Sequence, residues 1–139
     1  VTSISESIET QVATVAPRQS VLEAASLMCE RHIGSVVVAE GGRIDGLFTE
    51  RDLMRRVVRE RLDPARVAVR DVLRDDIPKV LANETAERCI ELMKQHQTRH
   101  LLVYRDNAFV GIISMRDLLM LLLREKEVLV RQLTEYITS

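Results

Sequence analysis

Apolar residues along this chain alternate between two periods, and they do so in the same order twice. Val21, Ala24, Ala25 and Met28 fall at helical spacing, as do Ala86, Cys89, Ile90 and Met93. Ser20, and Glu84–Thr85 in the second case, stand where a helix N-cap is needed. Each helical stretch runs into a β-branched, apolar segment, "SVVVAE" at 35–40 and "HLLVYR" at 100–105, which reads as a strand. Gly41–Gly42 and Asp106–Asn107 are turn chemistry, and "IDGLFT" or "FVGIIS" returns as the second arm of a hairpin. A further helix starts at Thr49 or Ser114, and a short extended segment, around Val12 to Val15 or Ile77 to Val80, leads each series. The pattern predicts a β-α-β-β-α unit made twice.

A direct comparison supports duplication. Sliding the sequence by 65 residues, the distance from Asp52 to Asp117, lays Val15–Leu53 on Val80–Leu118 without a gap. Val15, Leu27, Met28, Val38, Gly46, Arg51, Asp52 and Leu53 then meet identical residues, and Ala24/Cys89, Val36/Leu101, Leu47/Ile112 and Thr49/Ser114 keep their character. Two copies are too few for a solenoid and suit a pseudo-twofold pair.

Between the copies, Asp63 before Pro64 predicts a new helix with proline in its first turn, docked by Val67, Val72 and Leu73. "ESIETQV" and "DVLRDDI" form matching lead-in segments. The expected organisation is residues 1–60 for the first repeat with its lead-in, 61–124 for the linker helix and second repeat, and 125–139 for a helical extension. After Asp117 the helix is expected to reach about Ile137, with Leu119, Leu122, Leu129, Leu133 and Tyr136 along a seam that Lys126 interrupts. Such a helix either lies on its own domain or makes a dimer contact.

Composition narrows the function. Twenty basic against 21 acidic residues give a net charge of -1, so no broad field draws in nucleic acid or an anionic membrane. Aromatics are 3% of the chain, too few for base-stacking platforms, so the core must rest on aliphatic residues. The N-terminal "VTSISESIET" lacks an apolar signal core, and the run Leu118–Leu123 is far short of a membrane span. A cytoplasmic protein is expected. Cys29 and Cys89 have neither metal-ligand spacing nor the number for a disulfide scaffold. No HExxH, CxxC, P-loop or Ser/His/Asp constellation is present, and Glu50 is a lone carboxylate replaced by Met115 in the second copy. No catalysis is expected.

The candidate chemistry lies in "GLFTERD" (46–52) and "GIISMRD" (111–117). Ser or Thr followed three residues later by an acid is a capping box, which stabilises by about 1 kcal/mol and implies no ligand. The same groups suit a ribose-phosphate. A helix N-terminus attracts phosphate, and a carboxylate accepts from both hydroxyls of a vicinal diol. Spacing alone leaves both readings open. Arg51 and Arg116, just before each Asp, stand within reach of an anion or project into solvent. His32 and His96 sit where a protonated imidazole suits a helix C-terminus.

The duplicated unit, with G-apolar-apolar-[S/T]-x-x-D in both copies, resembles a tandem pair of CBS domains, or Bateman module, over roughly residues 8–123. The resemblance implies an α/β fold of two β-α-β-β-α repeats packed as a pseudo-twofold pair, here with a long C-terminal helix. It implies adenosyl ligands (AMP, ADP, ATP, S-adenosylmethionine or NADH) in two related clefts between the copies. Asp52 and Asp117 would hold ribose, and Thr49 and Ser114 would contact ribose or phosphate. Val12, His32 and Ile33 would wall the adenine of the Asp117 cleft, and Ile77 and Thr98 that of the Asp52 cleft. Arg99 and His100, which replace Gly34 and Ser35, would meet phosphates near Asp117 and make that cleft the better phosphate site. It also implies a homodimer through the CBS helices and a regulated protein partner. A dimerisation module without a small ligand is the alternative.

Overall fold

A computed structural model describes residues 2–138; Val1 and Ser139, the ends of the expected domain spans, lie outside the described residues. The architecture is mixed α/β, built from two three-stranded sheets. The first contains β1 (Thr14–Val15), β2 (Ser35–Glu40) and β3 (Arg43–Thr49), the second β4 (Lys79–Leu81), β5 (His100–Arg105) and β6 (Ala108–Ser114). In each, the first strand runs parallel to the second and the second pairs antiparallel with the third. The hairpin turns are those expected. Gly41 and Gly42 have φ of 59° and 82°, and Asp106 and Asn107 have 52° and 65°, the two left-handed residues that a tight hairpin matching strand twist requires.

Helix α1 (Val21–Arg31) and helix α3 (Ala86–Gln95) each cover one face of a sheet. Ser20 Oγ accepts from the Glu23 N–H at 3.1 Å, and Thr85 Oγ1 from the Arg88 N–H at 3.2 Å, so both expected caps form. Both helices also end alike. Ile33 N–H donates to Met28 O and Thr98 N–H to Met93 O, closing Schellman turns around left-handed His32 and Gln97. The helix faces bury Val21, Ala24 and Met28 against Val36, Val38 and Phe48 in one core, and Ala86, Cys89 and Met93 against Leu101, Val103 and Ile113 in the other.

The units of packing differ from the units of sequence repetition. One comprises residues 11–77, the other residues 1–10 with 78–139. The lead-in before the first repeat therefore packs with the second: Ile4 is fully buried in that core, and Glu9 and Ile112 exchange backbone hydrogen bonds of 2.9 and 3.0 Å. The lead-in before the second repeat packs with the first, where Arg74 and Leu47 exchange the matching pair at 2.8 and 3.0 Å.

The helix expected after Asp63 does not form. Asp63 O accepts from Arg66 and Val67, and Asp63 Oδ1 from Ala65, which makes a single capped turn. The chain is then drawn out, because Pro64 O and Val67 O accept the first N–H groups of α1, from Leu22 and Val21. Only a 3₁₀ turn at Val69–Asp71 follows, although Val72 is buried and Val67 and Leu73 pack on the core as expected. Helix α2 (Glu50–Asp52) continues directly as a π-helix, Leu53–Val58, whereas its counterpart α4 stays α-helical from Met115 to Thr138. No helix among the described residues is long and apolar enough to cross a membrane.

The thiols are unlike. Cys29 is exposed, while Cys89 is buried and its thiol is pushed up to about 11, first by burial and then by Glu84 and Glu87. Alkylation at pH 8 is expected to modify one thiol of the native chain quickly and the second only after denaturation, because the thiolate is the reacting species. Equal rates for both would contradict this packing.

Candidate functional site

The two motifs occupy matching strand-to-helix corners. β3 ends at Thr49 and β6 at Ser114, which pair with Ser35 and His100 at the starts of β2 and β5. Each corner is a complete capping box. Thr49 N–H and Thr49 Oγ1 both donate to Asp52 Oδ2 at 2.9 Å, and the Asp52 N–H donates to Thr49 Oγ1 at 3.2 Å. Ser114 and Asp117 repeat these bonds at 2.9, 2.9 and 3.1 Å. Gly34 O accepts the Glu50 N–H at 3.0 Å, and Arg99 O the Met115 N–H at 2.9 Å. Three of the four open donors at each helix start are thereby satisfied within the corner.

The capping bonds use one carboxylate oxygen and leave the other, and here the corners part. Asp52 is 6% exposed, and the Arg56 guanidinium, one turn along, lies with Nε 3.9 Å from its Oδ1. Arg56 is itself anchored, donating through Nη1 to Leu73 O at 2.7 Å. Asp117 is half-buried, and its Oδ1 has no hydrogen bond or ion pair among the described residues. Leu121 stands at the position matching Arg56.

The flanking groups differ as well. Glu50 lies over Gly34, where a Cβ would collide with Glu50 Oε1. Met115 and Arg99 occupy the matching positions, and Arg99 is exposed. His100 is half-buried, and its backbone N–H and O both engage the buried Thr98 Oγ1 at 3.2 Å. One corner therefore offers an open carboxylate oxygen and a hydroxyl, able to hold a diol, with the exposed Arg99 joined to the helix start through its backbone carbonyl.

The other expected residues distribute as follows. Val12 and Ile33 are half-buried, Ile77 is buried, and His32 is exposed at the end of α1. All four share a packing unit with Thr49, Arg51 and Asp52, and Thr98, Arg99 and His100 share theirs with Ser114, Arg116 and Asp117. Arg51 and Arg116 are both exposed on the first helical turn. Arg56 went unmarked in the sequence, although Asp52 and Arg56 have the i, i+4 spacing of a helical ion pair and the second copy lacks it.

Comparison with known proteins agrees with this architecture. A family model described as "CBS domain" matches residues 2–59 and 69–124. The CBS domain-containing protein YhcV of Bacillus subtilis is 36% identical over 116 residues, covering 84% of this chain and 82% of its own. A CBS-domain containing protein of Agrobacterium tumefaciens superposes with a TM-score of 0.79 at 29% identity, over 86% of this chain and 98% of its own. A CBS domain protein of Pyrobaculum aerophilum, complexed with AMP, has the same fold, with a TM-score of 0.74 at 24% identity over 83% of this chain and 88% of its own. With both repeats matched across most of its length, the chain belongs to the CBS-domain family.

Proposed function

We propose that this chain is a non-catalytic regulatory module that binds an adenosyl ligand through the Ser114–Asp117 corner and alters a protein partner in response. The observation that carries the reading is the open Oδ1 of Asp117, a half-buried acceptor beside the Ser114 hydroxyl and the exposed Arg99. A capping role needs only Oδ2. The free oxygen, with a hydroxyl that can turn toward a ligand, matches the ribose diol, and Arg99 with His100 supplies the phosphate side. AMP in the Pyrobaculum aerophilum relative gives the ligand class a precedent within the fold. The candidates are AMP, ADP, ATP, S-adenosylmethionine and NADH. Regulation would follow from unequal affinity for two arrangements of the chain. The proposed setting is cytoplasmic.

A thermal-shift panel of those five compounds tests the reading. A ligand at 100 times its Kd is expected to stabilise by about 2.7 kcal/mol, raising Tm by several degrees. No shift with any of them would remove the sensor reading.

One observation favours a second role, association of two copies. Helix α4 carries Leu123, Val130, Leu133 and Ile137 along one side, and all four are more than half exposed. A homodimer by sedimentation together with silence across the panel would make this a dimerisation module.

A further inference from the structure

The two corners are built from the same backbone and the same capping bonds, so the side chains that differ between them set what each accepts. We propose that Glu50 and Arg56 close the Thr49–Asp52 corner to phosphate-bearing ligands, so that the chain takes one nucleotide, at Ser114–Asp117. This rests on the nucleotide-binding reading above.

Two observations carry it, and they act on different parts of a ligand. The first concerns the diol. Asp52 Oδ2 is committed to the cap, and Oδ1 faces the Arg56 guanidinium at 3.9 Å. Arg56 is held in place by the 2.7 Å bond to Leu73 O, so its charge stays fixed on the lead-in segment. A ribose hydroxyl must compete there with a guanidinium for an oxygen of a residue that is only 6% exposed. At Asp117 the matching residue is Leu121, which has no donor, and Oδ1 is open.

The second observation concerns the anion. Where the second corner presents Met115 beside the Arg99 backbone, the first presents the Glu50 carboxylate lying over Gly34. At the first corner Glu50 and Asp52 offset Arg51 and Arg56, whereas at the second Arg99 and Arg116 outnumber Asp117. A phosphate meets no net attraction at the first, where the Glu50 carboxylate stands at the helix start, and a net positive charge at the second. Gly34 gives Glu50 room for this placement, since any side chain at 34 would displace the carboxylate.

Isothermal titration of the full chain with AMP and with ATP tests the assignment. The wild type is expected to bind one nucleotide per chain, with affinity unchanged within about twofold in Asp52→Asn. The double variant Glu50→Met/Arg56→Leu, which copies the second corner, is expected to bind two per chain. Met115→Glu, which copies the first corner's acid next to Arg99, is expected to weaken binding at least tenfold without changing the circular dichroism spectrum, and this arm does not depend on the double variant folding. Two nucleotides per wild-type chain, or loss of the single site in Asp52→Asn, would overturn the inference while leaving the nucleotide reading in place. A folded double variant that still binds one would also overturn it. No binding of either nucleotide to the wild type would overturn both.

Discussion

Asp117→Ala is expected to weaken adenosyl-ligand binding by roughly 100-fold or more, with the fold retained. Hydrogen bonds to an ionised group contribute about 1.5–3 kcal/mol each, and a diol makes two of them. Every 1.4 kcal/mol is a factor of about ten in Kd. The same change removes the acceptor of the Ser114 N–H and hydroxyl bonds, so the N-terminus of α4 loses about 1 kcal/mol of capping. The two losses separate cleanly. Asp52→Ala removes an equivalent cap, and it also leaves Arg56 without its carboxylate. It should match or exceed Asp117→Ala in destabilisation while leaving affinity alone. Urea midpoints and titration on the two variants, side by side, distinguish a ligand-holding carboxylate from a capping one. Equal affinity in wild type and Asp117→Ala would reduce both motifs to helix caps.

That paired design is possible because so much of the corner is local. The capping boxes at Thr49 and Ser114, the hairpin turns at Gly41–Gly42 and Asp106–Asn107, and the helices capped by Ser20 and Thr85 each depend on residues within a few positions of one another. All are legible in sequence for that reason. Asp63–Pro64 is a case where a valid local signal lost to a distant demand. Its first turn forms, but the bare N–H groups at the start of α1 take Pro64 O and Val67 O, and the helix cannot propagate. The exchange of lead-ins is invisible locally. Glu9 finds Ile112 and Arg74 finds Leu47 across gaps that no periodicity reports. The difference between the corners lay between these extremes. Asp52 and Arg56 have a readable spacing, but whether the pair forms depends on Leu73 O holding Arg56 in place.

The glycine of each motif, three residues before the end of its return strand, has no evident task in ligand binding, and its place in the fold accounts for it. Gly46 has φ of 155°, a conformation that L side chains rarely adopt, and a Cβ there would strike the Arg74 carbonyl and Leu73 Cδ1. Gly111 meets the Glu9 carbonyl and Ile8 in the same way. These are the points where each lead-in crosses its sheet and exchanges hydrogen bonds with the next residue, Leu47 or Ile112. Gly46→Ala must therefore strain the backbone and push the lead-in off together, a loss on the order of 3 kcal/mol. Gly41→Ala is the control. Its φ is also positive, at 59°, but nothing lies within 4 Å of an added Cβ, so it should cost only about 1 kcal/mol. Hydrogen exchange gives the sharper readout. In Gly46→Ala the Leu47 and Arg74 amides should lose protection together, and in Gly41→Ala they should keep it. If both variants shift the urea midpoint equally and leave those amides protected, the motif glycine does not hold the lead-in. If the predicted pattern appears, the glycine serves the fold and the [S/T]-x-x-D residues that follow it remain the part of the motif available to a ligand.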